Sequence, residues 1–242
     1  PTHRWLLAEG VRLTAARARA DLGALPPRAW RAWLWSIAAA LVPGLALSVG
    51  LCYLARWMER TGRLAWEPHF LRRLEAGPMS FSSALWAESP GNSVFMIPVV
   101  IAAALLAVWL RRPVMAGAIL SSFFILDLLV AAGWLAWSRA RPDLVAGGIA
   151  APGFNSFPSG HASQMVSAYG FFVFLWVRSS RSTLERVLAV ALWLGATLVV
   201  GWARMRLGAH WPSDIAAGML VGAFWLAASI AALRRAEALG AR

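Results

Sequence analysis

Two histidines, two arginines and one aspartate stand in three short polar motifs: Arg141-Pro142, Phe157-Pro158-Ser159-Gly160-His161, and Arg204 followed by His210 and Asp214. Moving a phosphoryl group asks a protein mainly for positioning and charge stabilisation, so several fixed donors must surround the three equatorial oxygens. Arg141 and Arg204 supply forked donors that match phosphate geometry better than a point charge does. Ser159 has the character of an N-cap and Gly160 admits close approach to backbone N–H groups. The helix predicted to open there favours an anion at its N-terminus.

His210 and Asp214 are four residues apart, which in a helix sets them on one face about one turn from each other. The carboxylate then holds one ring nitrogen and leaves the other free to attack phosphorus. Pro212 suits a first helical turn and places His210 at its mouth. His161, at the start of another helix, is the natural general acid for the leaving oxygen. Each motif alone has a plain structural explanation: Arg-Pro is unspecific, Ser-Gly-His is often only a cap, and a histidine four residues from an aspartate can be a structural pair. The joint order, spacing and common side of all three are what point to chemistry.

These groups lie in a chain that is 60% hydrophobic, where an ionisable group near a membrane span is costly and a candidate for function. Six apolar stretches are long enough to cross a bilayer, which takes about 20 helical residues: 33–56, 92–110, 114–137, 160–177, 187–204 and 213–233. The fold class expected is therefore all-α, a six-helix membrane bundle, with residues 1–32 a basic N-terminal segment and 33–242 the membrane domain. The net charge of +12 is explained by topology rather than nucleic-acid binding, since no basic stretch is interleaved with the polar surface such binding needs. All 23 basic residues are arginine. They gather before the first span, at Arg111 and Arg112, at Arg178, Arg181 and Arg186, and at the C-terminus. That side is expected to be cytoplasmic, with both termini on it. The three motifs then share the outer face, where Glu59, Glu67, Glu75 and Glu88 balance a further group of arginines.

The first 32 residues read equally as a basic interfacial helix with Trp5, Leu6 and Leu13 inward or as a solvated tail. No cleavable signal pattern is visible in them. The stretch from His69 to Trp86 is apolar enough to cover the entrance to the site, and His69 reads as a surface residue. Many of the 15 tryptophans stand near span ends, as in an aromatic belt. The single cysteine, Cys52, reads as a packing residue. Asp127, a carboxylate inside a predicted span, calls for a polar partner across helices, with Arg139 a candidate.

In these motifs the chain resembles the type 2 phosphatidic acid phosphatase family of integral membrane lipid phosphatases, over about residues 92–233. The resemblance implies a six-helix bundle, no metal or cofactor, and a phosphohistidine formed on His210. Asp214 would orient His210, His161 would be the acid, and Arg141, Ser159, Gly160 and Arg204 would cradle the phosphate. Two positions depart from the family pattern. Trp134 stands where the first motif has lysine, and Ala203 where a serine commonly precedes the third-motif arginine. Arg139 and Arg206 are candidate replacements for the missing donor. The expected activity is hydrolysis of a lipid phosphate or diphosphate with its tails in the bilayer, in a bacterial inner membrane with the site facing outward. Undecaprenyl diphosphate, phosphatidylglycerophosphate, phosphatidic acid and lipid A phosphates all fit. A lipid-to-lipid phosphotransferase and a non-catalytic lipid-phosphate binder are the alternatives; retention of both histidines and Asp214 speaks against the binder.

Overall fold

The computed structural model describes residues 26–143 and 155–240, with six isolated positions (9, 12, 13, 15, 16 and 20) nearer the N-terminus. Trp5 and Leu6, and so most of the expected interfacial helix, lie outside the described residues, as does the middle of the loop between the first two motifs. Everything regular that is described is helical. In chain order the elements are α1 (Pro27–Arg60), α2 (Glu67–Glu75), α3 (Phe81–Glu88) with a 3₁₀ turn at Ser89–Gly91, and α4 (Ser93–Trp109). They continue with α5 (Pro113–Ala136), α6 (Gly160–Gln164 continuing through Gly170–Ser179), α7 (Thr183–Arg206) and α8 (Pro212–Ala238).

Among the described residues five helical stretches are long and apolar enough to cross a bilayer: α1, α3 with α4, α5, α7 and α8. The predicted stretch 160–177 is helical in α6 but is not one of the five, because its first turns carry His161, Ser163, Gln164 and Ser167 in place of apolar residues. At about 1.5 Å per residue, the 34 residues of α1 measure about 51 Å against a hydrocarbon core of about 30 Å. Its C-terminal turns therefore project past the core, which is how Glu59 reaches the polar end of the bundle. The 69–86 stretch is resolved into α2 and α3, both packed against the end of α7. Ala84 of α3 is buried there with Ala203 and Leu207. His69 is exposed on α2. Cys52 is buried with Ala55, Phe157 and Ala217, as a packing residue should be.

Two π turns, Ser121–Ile125 in α5 and Met165–Tyr169 in α6, interrupt the regular hydrogen-bond ladder. Side chains take up the carbonyls in and beside them. The Trp225 indole N–H donates to Ser121 O at 2.7 Å, Ser167 Oγ to Ser122 O at 2.8 Å, and the Trp193 indole N–H to Met165 O at 2.8 Å. In an apolar medium an unsatisfied carbonyl costs several kcal/mol, about as much as the whole margin of a small domain's stability, so these side chains are required rather than ornamental.

The Phe157-to-His161 segment is wedged between α5 and α8 by two close approaches. A Cβ on Gly133 would stand 2.3 Å from Pro158 Cδ, and one on Gly218 would stand 2.4 Å from the Ser159 carbonyl oxygen. Glycine at these two positions is what lets the segment sit down on both helices.

Candidate active site

His210 lies outside α8. Arg204 closes α7 through its carbonyl, which accepts from Ala209 N at 3.0 Å, and Gly208 turns the chain at a φ of 65°. Trp211 is then the N-cap of α8, and the Asp214 carboxylate reaches back to accept from Trp211 N at 2.8 Å. The helical face expected from the four-residue spacing is thus replaced by a capping turn. It brings the same two side chains together, with His210 Nδ1 3.4 Å from Asp214 Oδ2. Both are buried.

The other imidazole nitrogen, Nε2, stands 3.5 Å from an Nη of Arg141, which also donates to Ala209 O at 2.6 Å. Guanidinium offers only protons and a carboxylate only accepts them, so both contacts suit the tautomer with Nε2 bare and Nδ1 protonated towards Asp214. Burial, with the charges of Arg204 and Arg141, outweighs the pull of Asp214 and lowers the His210 pKa to about 4. The imidazole is therefore neutral at pH 7, with its lone pair on the arginine side.

Asp214 is held from every direction. Its Oδ2 accepts from Ser156 Oγ as well as Trp211 N, and its Oδ1 accepts from Arg139 at 2.6 Å. Its backbone carbonyl accepts from Ser159 N at 3.0 Å, which ties the second motif to the third.

Ser159 caps α6, its hydroxyl accepting from Ala162 N at 3.4 Å. A Cβ added to Gly160 would meet Trp134 at an ordinary 3.6 Å, so protein packing does not by itself demand glycine there. Trp134 fills the place of the expected lysine with packing. Its ring lies against Gly160 and its indole N–H donates to the Pro158 carbonyl at 3.0 Å.

Arg139, a candidate donor from sequence, has its guanidinium committed to protein partners. Its guanidinium binds Asp214, Glu67 at 2.8 Å, Glu59 at 3.2 Å and Ser213 Oγ at 2.7 Å, between the rings of Trp137 and Trp211. Burial works against its charge, but Asp214 and Glu67 more than offset this and raise its pKa. With its donors committed to carboxylates behind His210, it is a support for Asp214. It is also not the partner of Asp127, which accepts instead from Gln164 of α6 at 2.9 Å. Arg206 donates through Nε to the Met79 carbonyl at 2.8 Å, in the α2–α3 connection.

One member of the site has no counterpart among the motifs. Glu88, buried at the end of α3, accepts from Arg204 and lies 3.3 Å from His161 Nε2. The glutamates of this region read from sequence as balance for nearby arginines, whereas Glu59, Glu67 and Glu88 each hold a site arginine. A carboxylate in an otherwise apolar stretch, Ala84-Leu85-Trp86-Ala87-Glu88, was the available signal for Glu88.

Four buried polar atoms in this region have contacts but no hydrogen-bond partner: Arg141 Nε, Arg204 Nε, His161 Nε2 and His210 Nδ1. Burial with the charge of Arg204 also lowers the Arg141 pKa. The two histidine nitrogens face Asp214 and Glu88, which leaves the Nε donors of Arg141 and Arg204 as the pair suited to an anion.

A family model for the PAP2 superfamily matches residues 114–237, just over half of the chain and every motif residue above. The chain belongs to the PAP2 superfamily. It is 38% identical over 72 residues to a lipid A 1-phosphatase of Rhizobium johnstonii, covering 30% of this chain and 25% of that protein. It is also 35% identical over 68 residues to YbjG of Escherichia coli K12, whose name assigns it undecaprenyl-diphosphatase activity, covering 28% of this chain and 30% of that protein. The matches therefore span less than a third of these relatives. Among solved structures, the fold resembles a PAP2-type phosphatidylglycerolphosphate phosphatase of Bacillus subtilis, with a TM-score of 0.67 at 18% identity over 78% of this chain and 94% of that one. It also resembles LpxE of Aquifex aeolicus, with a TM-score of 0.50 at 17% identity over 69% and 93% of the two chains. The all-helical membrane fold expected from sequence is thereby shown.

Proposed function

We propose that this PAP2 protein is a membrane lipid phosphatase that hydrolyses a lipid phosphate or diphosphate through a phosphohistidine on His210. One observation carries the reading: a neutral, buried imidazole presents a bare Nε2 beside Arg141, while its Nδ1 faces an anchored Asp214. In the first step the Nε2 lone pair attacks phosphorus, the bond to the leaving oxygen breaks, and His161 gives that oxygen its proton. Positive charge developing on His210 is stabilised by Asp214. In the second step water attacks the phosphohistidine, His161 takes its proton, and inorganic phosphate leaves with His210 restored.

Arg141 and Arg204 would neutralise the equatorial oxygens, and the N-terminus of α6 at Ser159 and Gly160 would bind them through backbone N–H groups. The named relatives act on phosphorylated lipids, which supports a lipid as the leaving group. The arginine distribution supports an outward-facing site. The test is phosphate release from a panel of lipid mono- and diphosphates, with and without chelator, together with acid-quenched labelling of the protein. Turnover that survives chelation, with an acid-labile phosphoprotein lost in His210→Ala, is expected. No phosphate release from any lipid phosphate, or a phosphoprotein that persists in His210→Ala, would overturn the reading.

A further inference from the structure

An almost wholly apolar groove of about 370 Å³ runs along the outside of the bundle between α6 and α7, with Pro90, Met165, Tyr169, Trp176, Leu192 and Ala196 among its walls. Its upper end comes close to the candidate site residues through Pro90. Pro90 precedes Gly91, which packs so tightly on His161 that a Cβ there would lie 2.9 Å from the imidazole Cδ2. The Tyr169 hydroxyl donates to the Pro90 carbonyl at 2.8 Å and so removes an exposed polar group from the groove's mouth.

Lining residues on α6 lie 4 to 15 residues beyond His161, and those on α7 lie 8 to 15 residues before Arg204. At about 1.5 Å per residue the groove descends from about 6 to about 22 Å below the site. That is close to the depth of one leaflet, about 15 Å.

The groove is shaped by specific side chains. The Met165 carbonyl, at the start of the α6 π turn, accepts the Trp193 indole N–H at 2.8 Å. Gly170 leaves room for the same ring, since a Cβ there would stand 2.8 Å from Trp193 Cζ2. Trp193 is thereby fixed as a wall of the groove.

We infer that this groove holds the hydrocarbon chain of the phosphorylated lipid while its phosphate occupies the site. The inference rests on the phosphatase reading and specifies the apolar half of the substrate. The leaving oxygen carries the chain and takes its proton from His161, so the chain departs from phosphorus on the His161 side, the side on which Pro90 and Met165 line the groove's upper end. The opposite side, behind His210, is filled by Asp214, Arg139 and Glu67. An apolar chain placed there would have to desolvate charges.

Ala196→Trp fills the groove from an exposed position on α7, and Leu198→Trp puts the same side chain on another exposed face of that helix. The measurement is kcat/KM for long-chain phosphatidic acid in detergent micelles and for its short-chain, water-soluble counterpart. We expect A196W to lower the long-chain value about tenfold or more and leave the short-chain value within about twofold, with L198W changing neither. Equal effects of A196W on both substrates, or none on either, would overturn the inference.

Occupancy is read without turnover by a photoactivatable group at the end of a long chain, carried on phosphatidic acid and on the matching diacylglycerol. Label on α6 and α7 that requires the phosphate and is lost in A196W supports the groove. Label spread over all bilayer-facing helices, or equal for the two lipids, counts against it. A wild-type protein labelled in the groove that releases phosphate from no lipid mono- or diphosphate of the panel would keep the groove and remove the phosphatase reading.

Discussion

The Trp134 indole N–H donates to the Pro158 carbonyl at 3.0 Å, so Trp134 supports the segment that carries Ser159 and Gly160. Pro158 is buried and its carbonyl immediately precedes Ser159. Trp134→Phe keeps the ring but leaves that carbonyl without its partner, which costs about 1 to 3 kcal/mol. The expected outcome is a lower unfolding temperature and a fall in kcat as the segment loosens. Trp134→Lys should lower stability as well and should not raise activity. A large gain in activity for the lysine variant would show that the cradle works short of one donor.

Arg139 is bound on three sides by carboxylates, two of them buried with it. Removing one partner of a buried ionic cluster strands the others and costs about 3 to 5 kcal/mol. Arg139→Ala should therefore reduce folded yield and thermal stability before it alters KM, because its guanidinium faces Asp214 rather than the substrate. Arg206→Ala, which loses one bond to the Met79 carbonyl, should leave kcat/KM within about twofold. A rise in KM for Arg139→Ala with unchanged stability would restore it as a phosphate donor.

The residues legible in the sequence are those whose chemistry admits few alternatives at a fixed spacing. His161, His210, Asp214, Arg141 and Arg204 belong to this group, and so do the apolar runs that became α1, α4, α5, α7 and α8. The spacing of His210 and Asp214 pointed to a contact that the fold does make, through a capping turn instead of a helical face. A carboxylate reaching back to cap a helix and a carboxylate one helical turn away look alike in a sequence. The roles of the buried glutamates were not legible, because a glutamate takes its meaning from what lies across the fold, and 116 residues separate Glu88 from Arg204. Arg139 illustrates the same limit: its reach was evident, but only the positions of Glu59 and Glu67 show in which direction it is used. The first turns of α6 fell short of an ordinary span because polar residues with partners across the bundle occupy them, among them Gln164 with Asp127 and Ser167 with Ser122.

Glu88 touches both the arginine of the cradle and the imidazole expected to protonate the leaving group. Facing His161 Nε2, it leaves Nδ1 as the nitrogen available to a substrate. Glu88→Gln keeps the shape and removes the charge. Hydrolysis of an alkyl phosphate, which needs the proton, should fall by about 10- to 100-fold, part of the 10²- to 10⁴-fold worth of a general acid. An aryl phosphate with a good leaving group should be affected much less. Equal losses on both substrates, appearing in KM, would show that Glu88 acts only through Arg204.

The membrane orientation can be read independently of catalysis. Basic residues cluster at the loop ends remote from the site, at Arg111 and Arg112 and at Arg178 to Arg186, which by the positive-inside rule should be cytoplasmic. A reporter active only in the cytoplasm should give signal when fused after Arg242 and none when inserted near Gly148. The reverse pattern would put the site on the inner face and change the leaflet that supplies substrate.

The neutral His210 sets the behaviour of the protein in acid. Its pKa in the folded state is about 4, below the ordinary histidine value of 6.5. Below pH 6.5 the unfolded chain takes up a proton that the folded one refuses, so stability is fully present above that pH and is lost as pH falls towards 4. The loss from this group approaches about 3 kcal/mol. Replacing His210 with Asn should remove that part of the acid sensitivity, seen as a smaller difference between unfolding temperatures at pH 7 and pH 4.5. The same depression keeps the attacking lone pair free, so the acid limb of kcat/KM that belongs to the enzyme should lie well below 6.5, apart from any limb due to ionisation of the substrate. An enzyme limb at 6.5 or higher would mean that His210 is protonated in the free protein, and that the bare Nε2 beside Arg141 is not the nucleophile.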